Sequence, residues 1–215
     1  MVQIITVLEP ADSKVTVKRS EFCAFISPAE SENAAYEFID SVRKMHYKAD
    51  HFPYAFIIGK DGNIKKSSDD GEPSQTAGRP MLGVLEAAGL TDAVLVCARY
   101  FGGTKLGTGG LARAFSRSAS EAVNNAVLVS EELCTVLRLS VKYAGWDRLS
   151  SYLSKQSLKV MDTEFGERAS VKAAVPVLSL QRVLSELADL TNGDIDTEIV
   201  SEQYIKKIIA GESGQ

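Results

Sequence analysis

The chain has 215 residues, of which 45% are hydrophobic and 24% charged, as is ordinary for a globular protein of one large or two small domains. Its net charge of −4 argues against a general nucleic-acid coat, which is normally basic. No apolar run approaches the roughly 18 residues of a membrane span, and the N-terminus does not resemble a signal peptide. We therefore expect a cytoplasmic protein whose three cysteines, Cys23, Cys97 and Cys134, are reduced core thiols.

The first part of the chain predicts a domain of mixed strands and helices. The strand-like segments QIITVL, KVTVK and EFCAFIS come first, and an amphipathic helix over SENAAYEFIDSVRKMH follows. Ser31 is the expected N-cap of this helix, with a capping box beginning at Ser27 as the alternative. The remaining predicted elements are the strand YAFIIG, a turn at Asp61-Gly62, a polar loop, the helix MLGVLEAAG, the strand DAVLVCARY and the helix LARAFSRSASEAVNNA.

Near residue 131 the pattern of strands begins again. The second part reads as strand ELCTVLRLSV, helix GWDRLSSYLSKQ, strands LKVMDTEF and RASVKAAVP across a turn at Gly166, helix LSLQRVLSELADLT and strand DIDTEIVSEQY. This β-α-β-β-α-β order is that of a ferredoxin-like unit. We predict an α+β protein of two domains, 1–130 and 131–215.

The segment from Ala98 to Ser116, ARYFGGTKLGTGGLARAFS, is rich in glycine and arginine, and no acidic residue lies between Asp92 and Glu121. A glycine-rich turn that opens a helix exposes backbone N–H groups, which favour an anion. Two arginines could grip that anion with forked geometry. The expected anion-binding residues are Arg99, Lys105, Gly107, Gly109, Gly110 and Arg113. The alternative is that the glycines serve only positive φ angles and close packing.

Two nucleotide-binding folds are disfavoured for this segment. Gly102 and Gly107 have the spacing of a P-loop, but Thr108-Gly109 follows where the P-loop needs lysine and a hydroxyl residue. GTGGLA matches GxGxxA, yet residues 101–106 separate it from the preceding strand, and a dinucleotide-binding turn must be tight. We expect no nucleotide cofactor.

The polar loop SSDDGEPSQTAGRP raises the question of a metal. Asp69, Asp70 and Glu72 could hold a hard cation such as magnesium, but we favour a structural role in which they cap the next helix or pair with Arg79, Arg99 and Arg113. His51 lies close to this loop in sequence and could titrate near neutrality. The histidines do not form a zinc-binding pair on one helix, so we expect no metal.

The sequence SDDGEPSQTAGRPML, followed by ARYFGGTKLGTGGLARAFS, resembles the signature of the IMPACT/YigZ family, over about residues 17–129. The resemblance implies an N-terminal α/β sandwich like the second domain of a small-subunit ribosomal protein, and a C-terminal domain like domain V of the translocation elongation factor. Two departures stand out. Gln75 replaces a usual glycine, and Phe52-Pro53 replaces a common Asn-Cys pair.

From this resemblance we expect a translation-linked regulatory protein that binds RNA, the ribosome or a translation factor through the glycine- and arginine-rich surface. Its signature loop would contribute Asp69, Asp70, Glu72, Arg79 and His51. A metal-assisted enzyme acting on a phosphate-containing small molecule, and a pure protein-binding module, are the alternatives. The sequence leaves the ligand, the oligomeric state and the role of the C-terminal domain open.

Overall fold

In the computed structural model, which describes residues 4–210 apart from the side chain of residue 210, the chain forms ten strands and five α-helices. The strands are β1 (Ile4–Val7), β2 (Ala11–Val17), β3 (Ser20–Pro28), β4 (Tyr54–Ile58), β5 (Ile64–Ser68), β6 (Ala93–Tyr100), β7 (Leu128–Val141), β8 (Lys159–Phe165), β9 (Ala169–Pro176) and β10 (Ile195–Ala210). The helices are α1 (Glu32–Met45), α2 (Gly78–Ala87), α3 (Thr108–Asn125), α4 (Tyr143–Lys155) and α5 (Leu180–Leu190). The described residues divide into two units, 4–130 with 207–210, and 131–206.

The first unit contains an antiparallel sheet of order β2-β3-β6-β4-β5. Its central strand β6 is buried from Ala93 to Arg99, because helices cover both faces of the sheet. Helices α2 and α3 pack on one face around Phe22, Leu95 and Phe115, while α1 packs on the other through Ile39 and Val42. Burial of each such side chain contributes about 1.5–3 kcal/mol.

Local signals in the sequence account for most element boundaries in this unit. Ser31 is the N-cap of α1, where its side chain accepts a hydrogen bond from the backbone N–H of Ala34, as predicted. The turn at Asp61-Gly62 also forms, with Gly62 at φ +62°. Helix α2 begins at Gly78 rather than Met81, and α3 begins at Thr108 rather than Leu111. The sequence analysis therefore placed part of both helices in loops.

The second unit has the predicted ferredoxin-like order. Strand β7 pairs with β9 and with β10, and β8 pairs with β9, so these four strands have the order β10-β7-β9-β8. The sheet has a fifth strand, β1, which also pairs with β7. Helices α4 and α5 cover one face through Leu149, Leu153, Val183 and Leu187. The fold class predicted from the sequence, α+β with a ferredoxin-like C-terminal part, is confirmed.

Two expectations about composition can be compared directly with the structure. Cys23, Cys97 and Cys134 are buried and unbridged, as expected of core thiols. Burial is the main reason that the thiol pKa of each lies above its ordinary value. Within residues 4–210, no helix is long and apolar enough to span a membrane.

We predict that a fragment of residues 131–215 folds alone, because β8, β9, β10, all but the first three residues of β7, and the core of this unit come from this range. Its amide resonances should be dispersed and should coincide largely with those of the same residues in the full chain. An undispersed spectrum, with the full chain well dispersed under the same conditions, would contradict an independent domain.

Candidate functional site

A cleft of about 450 Å³ opens in the first unit where β6 ends and α3 begins. It is lined by side chains from three segments, within 50–51, 72–73 and 99–111. The two signature motifs and the histidine segment therefore meet at one place. A volume of this size lies within the range of about 300–1,000 Å³ that is usual for small-ligand sites.

An ion pair between Arg99 and Glu72 forms the floor of the cleft. Nη1 of Arg99 donates to both carboxylate oxygens of Glu72, at 2.5 and 2.6 Å. The Arg99 side chain is 10% exposed and that of Glu72 is 1% exposed. The guanidinium carbon lies 5.6 Å from the ring centroid of Phe22 and 5.7 Å from that of Phe101. Within the described residues, the buried Nε of Arg99 has no hydrogen-bond partner.

His51 lies on the side of the cleft next to this pair. Its Nδ1 donates to the backbone carbonyl of Asp70 at 2.7 Å, which leaves Nε2 as an acceptor in the neutral imidazole. The same Nδ1 is 3.9 Å from Oε1 of Glu72. Gly71, at φ +88°, permits this approach, since a Cβ there would lie 2.7 Å from the imidazole. The backbone of His51 is also fixed, because its carbonyl accepts from the N–H of Arg99 at 3.0 Å.

The other two carboxylates of the polar loop hold the backbone in place. Asp69 accepts hydrogen bonds from the N–H groups of Gln75, Ala77 and Gly78, at 2.7 to 2.9 Å, and so caps the start of α2. Burial acts to raise the pKa of Asp69, but these amides outweigh it and hold the pKa below its ordinary value.

Asp70 accepts from the guanidinium of Arg43 at 2.9 Å and from the N–H of Phe52 at 2.7 Å. Asp69 binds the N-terminus of α2, Asp70 binds Arg43 and Glu72 binds Arg99, so each of the three carboxylates has a different partner. Between residues 4 and 210, no group of three or more His, Cys, Asp or Glu side chains is placed to hold a metal ion. The arrangement favours the structural interpretation of this loop over a magnesium site.

The opposite side of the cleft is the N-terminus of α3. Gly107 precedes the helix at φ +71°, and its carbonyl accepts from the N–H of Leu111 at 2.9 Å. The N-cap residue is a glycine and has no side chain with which to cap the helix. The first N–H groups of an α-helix have no partner within the helix, so those at this end can serve a ligand in the cleft. Lys105 is exposed and lines the cleft together with Gly107 and Thr108.

The cleft contains part of the residue set predicted from the sequence. Of that set, Arg99, Lys105, Gly107, Glu72 and His51 line it. The remaining predicted residues, Gly109, Gly110, Arg113, Asp69, Asp70 and Arg79, lie outside the lining.

Two of these outlying residues are arginines. Arg113 is exposed beside Gly109, where a Cβ would lie 3.7 Å from its Nη1, and it is not among the residues that line the cleft. Arg79 faces Glu86 instead, at 3.7 Å. The forked grip of Arg99 and Arg113 on one anion stays a prediction.

One negative charge of the cleft, that of Asp50, is not predicted from the sequence, whereas the pairing of Glu72 with Arg99 is among the pairings that the sequence analysis favours. Asp50 lines the cleft and accepts from the N–H of Phe101 at 2.8 Å, and Glu72 neutralises Arg99. The segment around the glycines has no acidic residue in its sequence, but acidic side chains from other segments lie beside it in the fold. The strand pairing of residue 51 with residue 99 was the missing information.

The structure also shows what the two departures from the family pattern do. Gln75 adopts φ +62°, a left-handed conformation that glycine enters without strain. Phe52 and Pro53 supply backbone groups, since the N–H of Phe52 donates to Asp70 and the carbonyl of Pro53 accepts from Cys97. Phe52 and Pro53, which stand in place of Asn-Cys, therefore make hydrogen bonds with their backbone groups and have no polar side-chain group.

Comparison with known proteins gives matches to both parts of the chain. Residues 18–123 match the Impact N-terminal domain, and residues 139–194 match a domain of unknown function, DUF1949. The IMPACT family member YvyE of Bacillus subtilis strain 168 is 33% identical over 95% of this chain and 94% of its own length.

Other matches come from a second bacterium and from yeast. The IMPACT family member YigZ of Escherichia coli K12 is 28% identical over 86% of this chain and 92% of its own. The Protein IMPACT homolog of Saccharomyces cerevisiae is 34% identical over 45% of this chain and 39% of its own. A crystal structure of a hypothetical protein, 27% identical, superposes with a TM-score of 0.61 over 94% of this chain and 100% of that one.

Gln75→Gly should stabilise the first unit, because a left-handed conformation costs a residue with a side chain about 1 kcal/mol more than glycine. The gain will be partly offset by the greater freedom of glycine in the unfolded chain. Urea unfolding should show a higher midpoint. A matched Gln156→Gly substitution at the C-cap of α4, where φ is −81°, should not raise the midpoint.

Asp69→Ala should lower the free energy of unfolding by about 1–2 kcal/mol near pH 7, because three backbone amides lose their acceptor. The difference from wild type should be complete above the ordinary Asp pKa. It should shrink as the pH falls through the lower folded pKa, where the wild-type carboxylate protonates. A difference that stays constant down to pH 2 would contradict the assigned capping role.

Proposed function

Because the chain belongs to the IMPACT family, we propose that it is a translation-linked regulatory protein that binds RNA, free or within the ribosome, through this cleft. The family resemblance supports the link to translation. The cleft supports the chemistry, since it presents backbone N–H groups and a lysine to a ligand. The ligand group that fits these donors is a phosphate of the RNA backbone.

The observation that carries this proposal is that the N-terminus of α3, whose N-cap is a glycine, lines the same cleft as a buried arginine. The helix end has a partial positive charge of about half a unit, which falls off within one turn. Lys105 adds a full charge to the same side of the cleft. On the floor, the charge of Arg99 is neutralised by Glu72, so the donors proposed for the phosphate are Lys105 and the first backbone amides of α3.

The charge balance sets the expected strength of binding. Asp50 and Glu72 offset Arg99 and Lys105, so the cleft itself is formally neutral when His51 is neutral. Specific donors, and not a high positive potential, must therefore hold the phosphate. We expect modest affinity with few counterions released, in contrast with the steep salt dependence of a basic nucleic-acid coat.

Arg113 has an auxiliary place in this proposal. Its guanidinium lies beside Gly109, outside the cleft and exposed. It lies beside the first turn of α3 and can contact the phosphate bound there or a neighbouring phosphate of the same strand. Its removal should leave stability unchanged, because the side chain has no buried contact to lose.

Lys105→Ala should weaken binding of a mixed RNA pool, about evenly across sequences, and reduce the slope of log affinity against log salt by about one. The physical reason is the loss of one phosphate contact with its released counterion. Fluorescence anisotropy across a salt series measures both quantities. Lys44→Ala is the matched control, since it removes one exposed lysine from α1 and should leave the slope unchanged.

The result that would contradict the proposal is wild-type binding that is absent, or that responds equally to the two lysine substitutions. In either case the same cleft, with its exposed Phe101, would be better explained as the docking site of a protein partner. Pull-down at high salt separates that case, because apolar contacts persist where phosphate contacts are screened.

A further inference from the structure

The lining of the cleft includes apolar side chains as well as hydrogen-bond donors. Pro73, Phe101, Leu106 and Leu111 contribute apolar surface to the lining. A site for a bare phosphate needs donors only, and apolar walls would add nothing to its affinity. These walls indicate that a flat or apolar group enters the cleft with the phosphate.

Phe101 is the aromatic side chain best placed to meet that group. It follows β6 directly, and its backbone N–H is held by Asp50 at 2.8 Å. The guanidinium of Arg99 lies over its ring at 5.7 Å, yet 49% of the residue is exposed. An aromatic ring that is fixed at its backbone, backed by a buried cation and open on its remaining surface can serve as a stacking platform.

We infer that the cleft takes a single-stranded RNA nucleotide, with its phosphate at the N-terminus of α3 and its base stacked on Phe101. This inference rests on the proposed function and narrows it to unpaired RNA. Bases in a duplex are already stacked inside the helix and cannot reach a side chain in a cleft, whereas unpaired bases can be splayed out onto an aromatic ring. The same surface therefore discriminates between the two forms of RNA.

The cleft's size is consistent with one such unit. A volume of about 450 Å³ suits a single nucleotide and not a folded RNA element. Specificity for the base should be low, because every base has a π-face that can stack on an aromatic ring. Preference for single strands over duplex, without strong sequence preference, is the expected behaviour.

The test uses the full chain and three labelled probes of about ten nucleotides, within the usual range of single-strand site sizes. The probes are oligouridylate, the same strand paired with its complement, and an abasic strand that keeps the phosphates and lacks the bases. We expect oligouridylate to bind about tenfold more tightly than either of the others, since one stacked base commonly contributes that much.

Variants of Phe101 then test whether its ring causes the difference in affinity between oligouridylate and the other two probes. Phe101→Leu should bring oligouridylate down to the affinity of the abasic strand, and Phe101→Tyr should preserve the preference because it keeps an aromatic face. Tyr47→Leu is the matched control, since Tyr47 is 75% exposed and lies outside the cleft lining. It should leave all three affinities unchanged.

The outcomes separate this inference from the proposed function. Equal, salt-dependent binding of the abasic strand and oligouridylate would overturn base stacking and leave phosphate binding intact. A preference that survives Phe101→Leu would also overturn it. Failure of every probe to bind would overturn the proposed function itself.

Discussion

The buried ion pair between Glu72 and Arg99 is the interaction on which the candidate site depends. It joins two motifs that are 27 residues apart in sequence, across the space between the polar loop and the end of β6. Removal of one member of such a pair leaves an uncompensated buried charge, at a cost of about 3–5 kcal/mol. Substitution of either residue alone should therefore destabilise the fold, and the pair keeps the floor of the cleft in its observed geometry.

The surrounding polar groups hold the two members of the pair in position. Asp69 fixes the end of the loop on α2, Asp70 ties its middle to Arg43 and to the backbone of Phe52, and Gly71 admits the imidazole of His51. On the other side, the register of β6 fixes Arg99. The acidic loop is thus a scaffold, which presents a single carboxylate to the cleft.

The glycines after β6 divide between packing and exposure. Gly102 lies against the turn before β3, where a Cβ would be 2.1 Å from the backbone of Arg19, and its N–H donates to Ser20 at 3.0 Å. A Cβ at Gly103 or Gly107 would meet nothing within 4 Å, but both residues have positive φ. The close-packing explanation therefore applies to Gly102, while Gly107 lets the chain turn into α3 with its N–H groups open.

The sequence predicts the elements well because their signals are local. The apolar spacing of α1, its Ser31 cap and the βαββαβ order of the second unit each depend on a few adjacent residues. The site was only partly predictable, because Asp50 reaches the cleft through the isolated pairing of the chain at His51 with Arg99. The left-handed φ of Gln75 also has no signal in a single sequence.

The most direct test of the central claim, that the N-terminus of α3 binds phosphate, is titration of the ¹⁵N-labelled protein with inorganic phosphate. The amide resonances of Thr108, Gly109 and Gly110 should shift and saturate together, since the N-cap residue of this helix is a glycine with no side chain to occupy them. Those of Ala77 and Gly78 should not move, because Asp69 already occupies the N-terminus of α2. Shifts that are absent from the first group, or that are equal in both, would contradict the account.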